Sequence, residues 1–180
     1  MLCDAMPSDS VSRPKADVRW GPILLTTIAA QVLFPTLVRR IGPHLTSAFG
    51  LLTLSLGMAS QSIVRAQPLH SLFYLINRAG AGISDTSTAT LVARTSPTAD
   101  ARAKNLALIQ STRAAARIFT PVVSGSLFAA SCGFRQFPGG LPFLTNAACA
   151  LLAVPIPLLL RRAERRADAK AKGSGVEQLY

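Results

Sequence analysis

The chain alternates between long, mainly apolar stretches and short segments rich in Arg, Lys, Pro and Gly. The apolar stretches run from about Trp20 to Val38, Leu45 to Val64, Leu69 to Ala93, Lys104 to Ala130 and Leu141 to Leu160. A helix rises ~1.5 Å per residue, so about 20 apolar residues cross a hydrocarbon layer roughly 30 Å thick. These lengths predict an all-α, polytopic transmembrane bundle of about five spans over residues 20–162. A polar, disordered lead-in at 1–19 precedes it and a basic tail at 163–180 follows.

Each stretch has its own punctuation. Helix 1 opens on Trp20-Gly21-Pro22 and stops at Arg39-Arg40, with an aromatic at one interface and cations at the other. Helix 2 is uncharged, ends at Arg65 and reads as the cleanest span, with Gly50 and Gly57 as small packing positions. Helix 3 encloses Arg78 and Asp85 and the small-residue run Ala79-Gly80-Ala81-Gly82, which suits close helix approach in lipid. Helix 4 contains Arg113 and Arg117, and its Pro121 predicts a kink. Helix 5 has no charge, contains Pro142, Pro155 and Pro157, and gives way to Arg161-Arg162-Ala163-Glu164-Arg165-Arg166 and a Lys/Ala/Gly tail expected to be mobile.

Charge changes the picture in one respect. Of 180 residues 49% are hydrophobic, yet the formal charge is +11 and the mean hydropathy is +0.36. A nucleic-acid binder spreads cations over a continuous surface, whereas here they cluster between uncharged runs. Consecutive spans place their loops on alternate sides. With Arg39-Arg40 inside, Arg94, Arg102, Lys104 and the cations from Arg161 to Lys172 also fall inside, and Arg65 and Arg135 fall outside with Arg13, Lys15 and Arg19 of the lead-in. That bias follows the positive-inside rule, puts the C-terminus in the cytoplasm and explains the net charge with no nucleic-acid partner. The lead-in lacks the apolar centre of a signal peptide. Cys3, Cys132 and Cys149 form no disulfide framework or metal-ligand spacing, and no metalloprotease, P-loop or nucleophile-elbow motif is present. No enzyme activity, catalytic residue, cofactor or metal is expected.

Three segments carry further information: Pro35-Thr36-Leu37-Val38-Arg39-Arg40-Ile41-Gly42-Pro43-His44 after helix 1, Arg78-Ala79-Gly80-Ala81-Gly82 in helix 3, and Thr120-Pro121-Val122-Val123-Ser124-Gly125 in helix 4. Their order and spacing resemble the major facilitator superfamily of transporters over nearly all of Trp20 to Arg162. The first is similar to the family's loop Gly-x-Leu-Ala-Asp-Arg-x-Gly-Arg-Lys. Leu37, Arg40 and Gly42 match it, whereas Pro35 and Arg39 replace its Gly and Asp, and Pro43 and His44 its last two basic residues. The second resembles the family's Arg-plus-glycines helix. The third is similar to the Gly-Pro-x-x-Gly-Gly element of drug/proton antiporters, keeping Pro121 and Gly125. With Arg117 four residues before the proline, Ala114 to Phe128 looks most like the penultimate helix of tetracycline-transporter-like members. The resemblance implies a partial major-facilitator fold made of the family's last five spans, although the same order of motifs also occurs in its first half. A second helical bundle is then either supplied by another chain or absent through truncation.

Candidate chemistry lies in the charges inside the spans. An ionisable group at mid-helix costs about 2.5–3.5 kcal/mol on insertion scales, so such groups mark a polar interior. Asp85 lies nine residues before Arg94 and Arg113 nine after Lys104, which places both about 13 Å from the same end at ~1.5 Å per residue. An ion pair can form at that depth. Arg113 and Arg117 share a helix face, as do Arg78 and Asp85. The resemblance implies that helices 3 and 4 line a transport cavity while helices 2 and 5 face lipid. Asp85 is then the candidate proton-linked carboxylate, Arg113 and Arg117 the candidates for holding an anionic group or controlling that carboxylate, and Gln31 a candidate polar contact. Structural readings stand beside these: a packing ion pair, a snorkelling Arg78, an interhelical hydrogen bond from Gln31, and helix shaping by Gly80, Gly82, Pro121 and Gly125. His44 and His70 are expected at exposed interfaces. The expected function is alternating-access transport of small organic solutes across a lipid bilayer, with proton-coupled drug or organic-ion efflux as its mode. The alternative is a five-span fragment that does not transport and serves as a membrane interaction subunit.

Overall fold

The computed structural model describes residues 20–64, 66–136 and 138–176, and the regular structure among them is entirely helical. The helices are α1 (Trp20–Ile41), α2 (Pro43–Ile63), α3 (Gln67–Thr95), α4 (Ala99–Ser131), α5 (Leu141–Ala153) and α6 (Pro155–Val176). The lead-in at 1–19 lies outside the described residues.

Local chemistry sets the boundaries. Gly42 turns the chain between α1 and α2 with a φ of 84°, a left-handed conformation that favours glycine, and Pro43 follows in the first turn of α2. The Gly42 carbonyl accepts from both Thr46 N and Thr46 Oγ1, at 3.1 and 2.8 Å. α4 begins at Ala99, ahead of the expected Lys104, because Thr98 caps it by accepting from Ala101 N at 3.1 Å and Asp100 sits in the first turn. α4 runs unbroken through Pro121. The interruption falls instead at Val154, where Pro155 has no N–H to continue the ladder and starts α6. The tail expected to be mobile is helical up to Val176, since Ala, Arg, Lys and Glu are among the best helix formers.

α2 is the hub, packing on α3 along one side and on α5 and α6 along another, while α1 lies mainly on α3. Its stripe Gly50, Leu54, Gly57 and Gln61 advances by alternate steps of four and three and meets α3 antiparallel. The backbones touch there: a Cβ at Gly80 would fall 2.5 Å from Leu54 N, one at Gly57 2.8 Å from Asn77 N, and one at Gly50 2.8 Å from Ser84 N. Asn77 Nδ2 donates to Gln61 Oε1 at 3.3 Å within this seam. On the α5 side, Ser55 Oγ donates to the Ala147 carbonyl at 2.9 Å. Small residues and interhelical hydrogen bonds are how helices associate where lipid removes the hydrophobic drive between them.

Burial is inverted relative to a protein that folds in water. Among the described residues the buried hydrophobic side chains are Phe34, Ala48, Ala147 and Ala150, while Thr46, Ser47, Ser55, Gln61, Ser62, Asn77 and Ser87 are buried with them. Phe49, Leu52, Leu56 and Ile63 form an exposed stripe on α2, and Ile118, Phe119, Val122 and Leu152 are also exposed. Left in water, each such side chain would forgo about 1.5–3 kcal/mol of burial.

Among the described residues two helices are long and apolar enough to cross a membrane: α4, and the rod Leu141–Ala167 built from α5 and the first part of α6. Only 6% of the most apolar stretch of α4 and 17% of that of the rod is buried, so neither is a covered core helix. α2, expected as the cleanest span, is not among the two, because Thr46, Ser47, Thr53, Ser55, Ser60, Gln61 and Ser62 dilute its apolar content. α3 carries a comparable polar load that it largely satisfies internally: Thr86, Ser87, Thr88, Thr90 and Ser96 each donate to the carbonyl four residues back.

Candidate functional site

α3 presents two faces. Gly80 and Asn77 lie against α2. Asp85, five residues beyond Gly80, falls roughly 140° around the helix at 3.6 residues per turn, away from that seam. There it meets α4: Arg113 Nη2 donates to Asp85 Oδ1 at 2.6 Å. The Asp85 side chain is 64% exposed and that of Arg113 35%, so the pair is open to its surroundings.

Two contacts tie α3 to α4. Asn105 Nδ2 donates to Ser96 Oγ at 3.1 Å beside the α3–α4 turn, and the Asp85–Arg113 bridge ties the helices further along. Beyond the bridge Ile118, Phe119 and Val122 of α4 are exposed. Arg117, one turn on, is exposed and makes no hydrogen bond or ion pair among the described residues. Pro121 and Gly125 are exposed too, and a Cβ at Gly125 would meet nothing within 4 Å. Gly125, expected to pack or shape the helix, therefore packs against nothing. α4 leans instead toward α5, leaving a hollow of about 280 Å³ lined by Phe119, Thr120, Val123, Ser124, Thr145 and Asn146. Its far end is pinned where Gly139, with φ 71°, lies under the Phe128 ring so closely that a Cβ would fall 2.5 Å from it.

The other candidates fall elsewhere. Arg78 is occupied by Tyr74: its Nε donates to the Tyr74 hydroxyl at 2.9 Å and its guanidinium lies 5.0 Å from the ring centroid. Gly80 is a helix-contact glycine, and the Gly82 carbonyl accepts from Thr86 Oγ1 at 2.9 Å. Leu37 and Arg40 line a separate hollow between α1, α2 and α3, while Gly42 makes the turn. The Gln31 side chain lies outside the described residues. No group of His, Cys, Asp and Glu side chains among the described residues is placed to hold a metal ion.

Two contacts escape a reading of the sequence. His44, expected to be exposed, is 7% exposed and its Nε2 donates to Glu164 Oε2 at 2.7 Å, joining α2 to α6. The signal was Glu164, the lone acid among four arginines. The other is the buried Asn77–Gln61 pair, visible only as two amides inside apolar stretches.

These contacts also sort the cations. The antiparallel α2–α3 seam and the His44–Glu164 bridge bring Arg39 and Arg40, the α3–α4 turn with Arg94 and Arg102, and Arg161 to Arg166 to one end of the bundle. Arg135 lies at the other. No family model, curated protein or solved structure matches the chain.

Proposed function

We propose that the chain is a multi-pass membrane protein whose five helical rods cross the bilayer with the cationic end in the cytoplasm, and that it carries small organic solutes in the manner of the major facilitator superfamily, alone or with a second bundle. The inverted burial supports a lipid surround, and the gathering of arginines at one end agrees with the positive-inside rule. The observation that carries the transport reading is the part-exposed Asp85–Arg113 bridge between α3 and α4, with Arg117, unpaired among the described residues, one turn away. An ionised pair at membrane depth is expensive to place and marks a solute or proton path.

The mechanism follows from exchange of partners. When Asp85 takes a proton it no longer needs Arg113, whose guanidinium becomes free to hold an anionic group together with Arg117 on the same face. When that group leaves, the proton leaves and the bridge closes again. Proton movement and solute movement are linked because the Asp85 carboxylate and the anionic group compete for one guanidinium, and protonation takes the carboxylate out of that competition.

Proteoliposomes containing the purified chain and an entrapped pH dye test this. Proton flux driven by a panel of organic anions and cations, abolished by Asp85→Asn and reduced by Arg117→Gln, is the expected outcome. The uncovered α4 face from Arg117 to Gly125 favours a second reading, a membrane subunit that docks a partner and does not transport. Absence of flux for every solute class, with the chain inserted and Asp85 intact, selects that second reading.

A further inference from the structure

We infer that the hollow between α1, α2 and α3 is a binding site for an anionic phospholipid, with one acyl chain in the hollow and the phosphate on Arg40. The hollow encloses about 430 Å³, within the ~300–1,000 Å³ of small-molecule sites, and is lined by Leu33, Leu37, Phe49, Ala79 and Ile83, with Arg40 as its charged group. A water-soluble metabolite needs several convergent polar groups for orientation. One guanidinium and the Thr36 hydroxyl on a mainly apolar trough fit an amphiphile.

The position of Arg40 completes the case. It ends α1, next to Arg39, at the end of the bundle to which the His44–Glu164 bridge brings Arg161 to Arg166. A chain lying along the trough puts its headgroup among these cations, at the depth where lipid phosphates sit. The acyl chain gains little by moving from bulk lipid into the trough, since both surroundings are apolar. Selectivity therefore comes from the headgroup, and one basic residue near the surface favours anionic lipid about fivefold. A second copy of the chain is a poor occupant, because two cationic ends would be brought together.

This inference rests on the membrane reading above, and two measurements keep their failures apart. Alkaline carbonate extraction reports whether the chain is integrated; full extraction overturns both. The purified chain, released in mild detergent from vesicles of equal phosphatidylglycerol and phosphatidylcholine, is then examined by native mass spectrometry for retained lipid. About fivefold preference for phosphatidylglycerol is expected, lost in Arg40→Gln, kept largely in Arg40→Lys, and undiminished by excess inorganic phosphate. Ala79→Leu, which fills the trough, should lower retention of both lipids. Equal retention of the two lipids by an integrated chain, an unchanged preference in Arg40→Gln, unchanged retention in Ala79→Leu, or displacement by free phosphate would each overturn the inference.

Discussion

Arg113 reaches across from α4 to hold the Asp85 carboxylate at 2.6 Å, joining two helices that otherwise touch sparsely. The surroundings of this bridge decide its strength. With side-chain exposures of 64% and 35%, the same pair in water would contribute about 0–1 kcal/mol. In a bilayer, a charge left without its partner costs about 2.5–3.5 kcal/mol on insertion scales.

Replacing one partner therefore reports on the solvent. Asp85→Asn in reconstituted protein should destabilise the α3–α4 contact by more than about 1 kcal/mol, beyond the water-exposed limit. The charge swap Asp85→Arg with Arg113→Asp should recover most of the loss. Denaturant titration in mixed micelles measures both. A loss below that limit would mean that water surrounds the pair.

Two glycines in apolar helices should respond in opposite ways. Gly80→Ala pushes a methyl to 2.5 Å from Leu54 N and should destabilise by about 1–3 kcal/mol through overpacking. Gly125→Ala meets nothing within 4 Å and should stabilise α4 slightly, by up to about 1 kcal/mol from helix propensity. The same titration compares them, and equal effects would contradict the packing described for α2 and α3.

The amide pair in the seam should contribute modestly. Asn77→Ala removes the hydrogen bond to Gln61 Oε1 and is expected to cost about 0.6 kcal/mol, and at most about 1.7, the range of interhelical hydrogen bonds in membranes. Double-mutant cycles with Gln61→Ala isolate the coupling.

Glu164 fastens α6 to the bundle. Glu164→Ala should leave the helices before Leu160 intact while loosening the helix after it, read as faster tryptic cleavage among Arg161 to Arg166. His44→Ala should have the same effect, since either change removes the hydrogen bond between the two side chains.

Much of the fold was legible because long apolar stretches bounded by Arg, Gly and Pro leave few alternatives to helices. Gly50, Gly57 and Gly80 stood out as packing positions for the same reason. Equal counting from Arg94 and Lys104 put Asp85 and Arg113 at one depth, and they do meet. Proline was less informative, because its effect depends on what surrounds it: α4 runs through Pro121, whereas Pro155 and Pro157 together interrupt the last rod. The helical tail was hidden by its charge, which suggested solvent but says nothing against helix. His44 was misplaced because its partner lies 120 residues away, and no local pattern reports such a contact. Reading α2 as the cleanest span counted its lack of charge and overlooked its hydroxyls, of which Thr46, Ser47, Ser55 and Ser62 are buried in the bundle.

The most direct measurement is sidedness of single cysteines placed at Arg40, Arg102, Arg165 and Arg135 in a chain otherwise free of cysteine, labelled in sealed vesicles with an impermeant maleimide. Arg40, Arg102 and Arg165 should react from one common side and Arg135 only from the other. Labelling of all four from the same side, or a split among the first three, would contradict a bundle that crosses lipid with its cations gathered at one face.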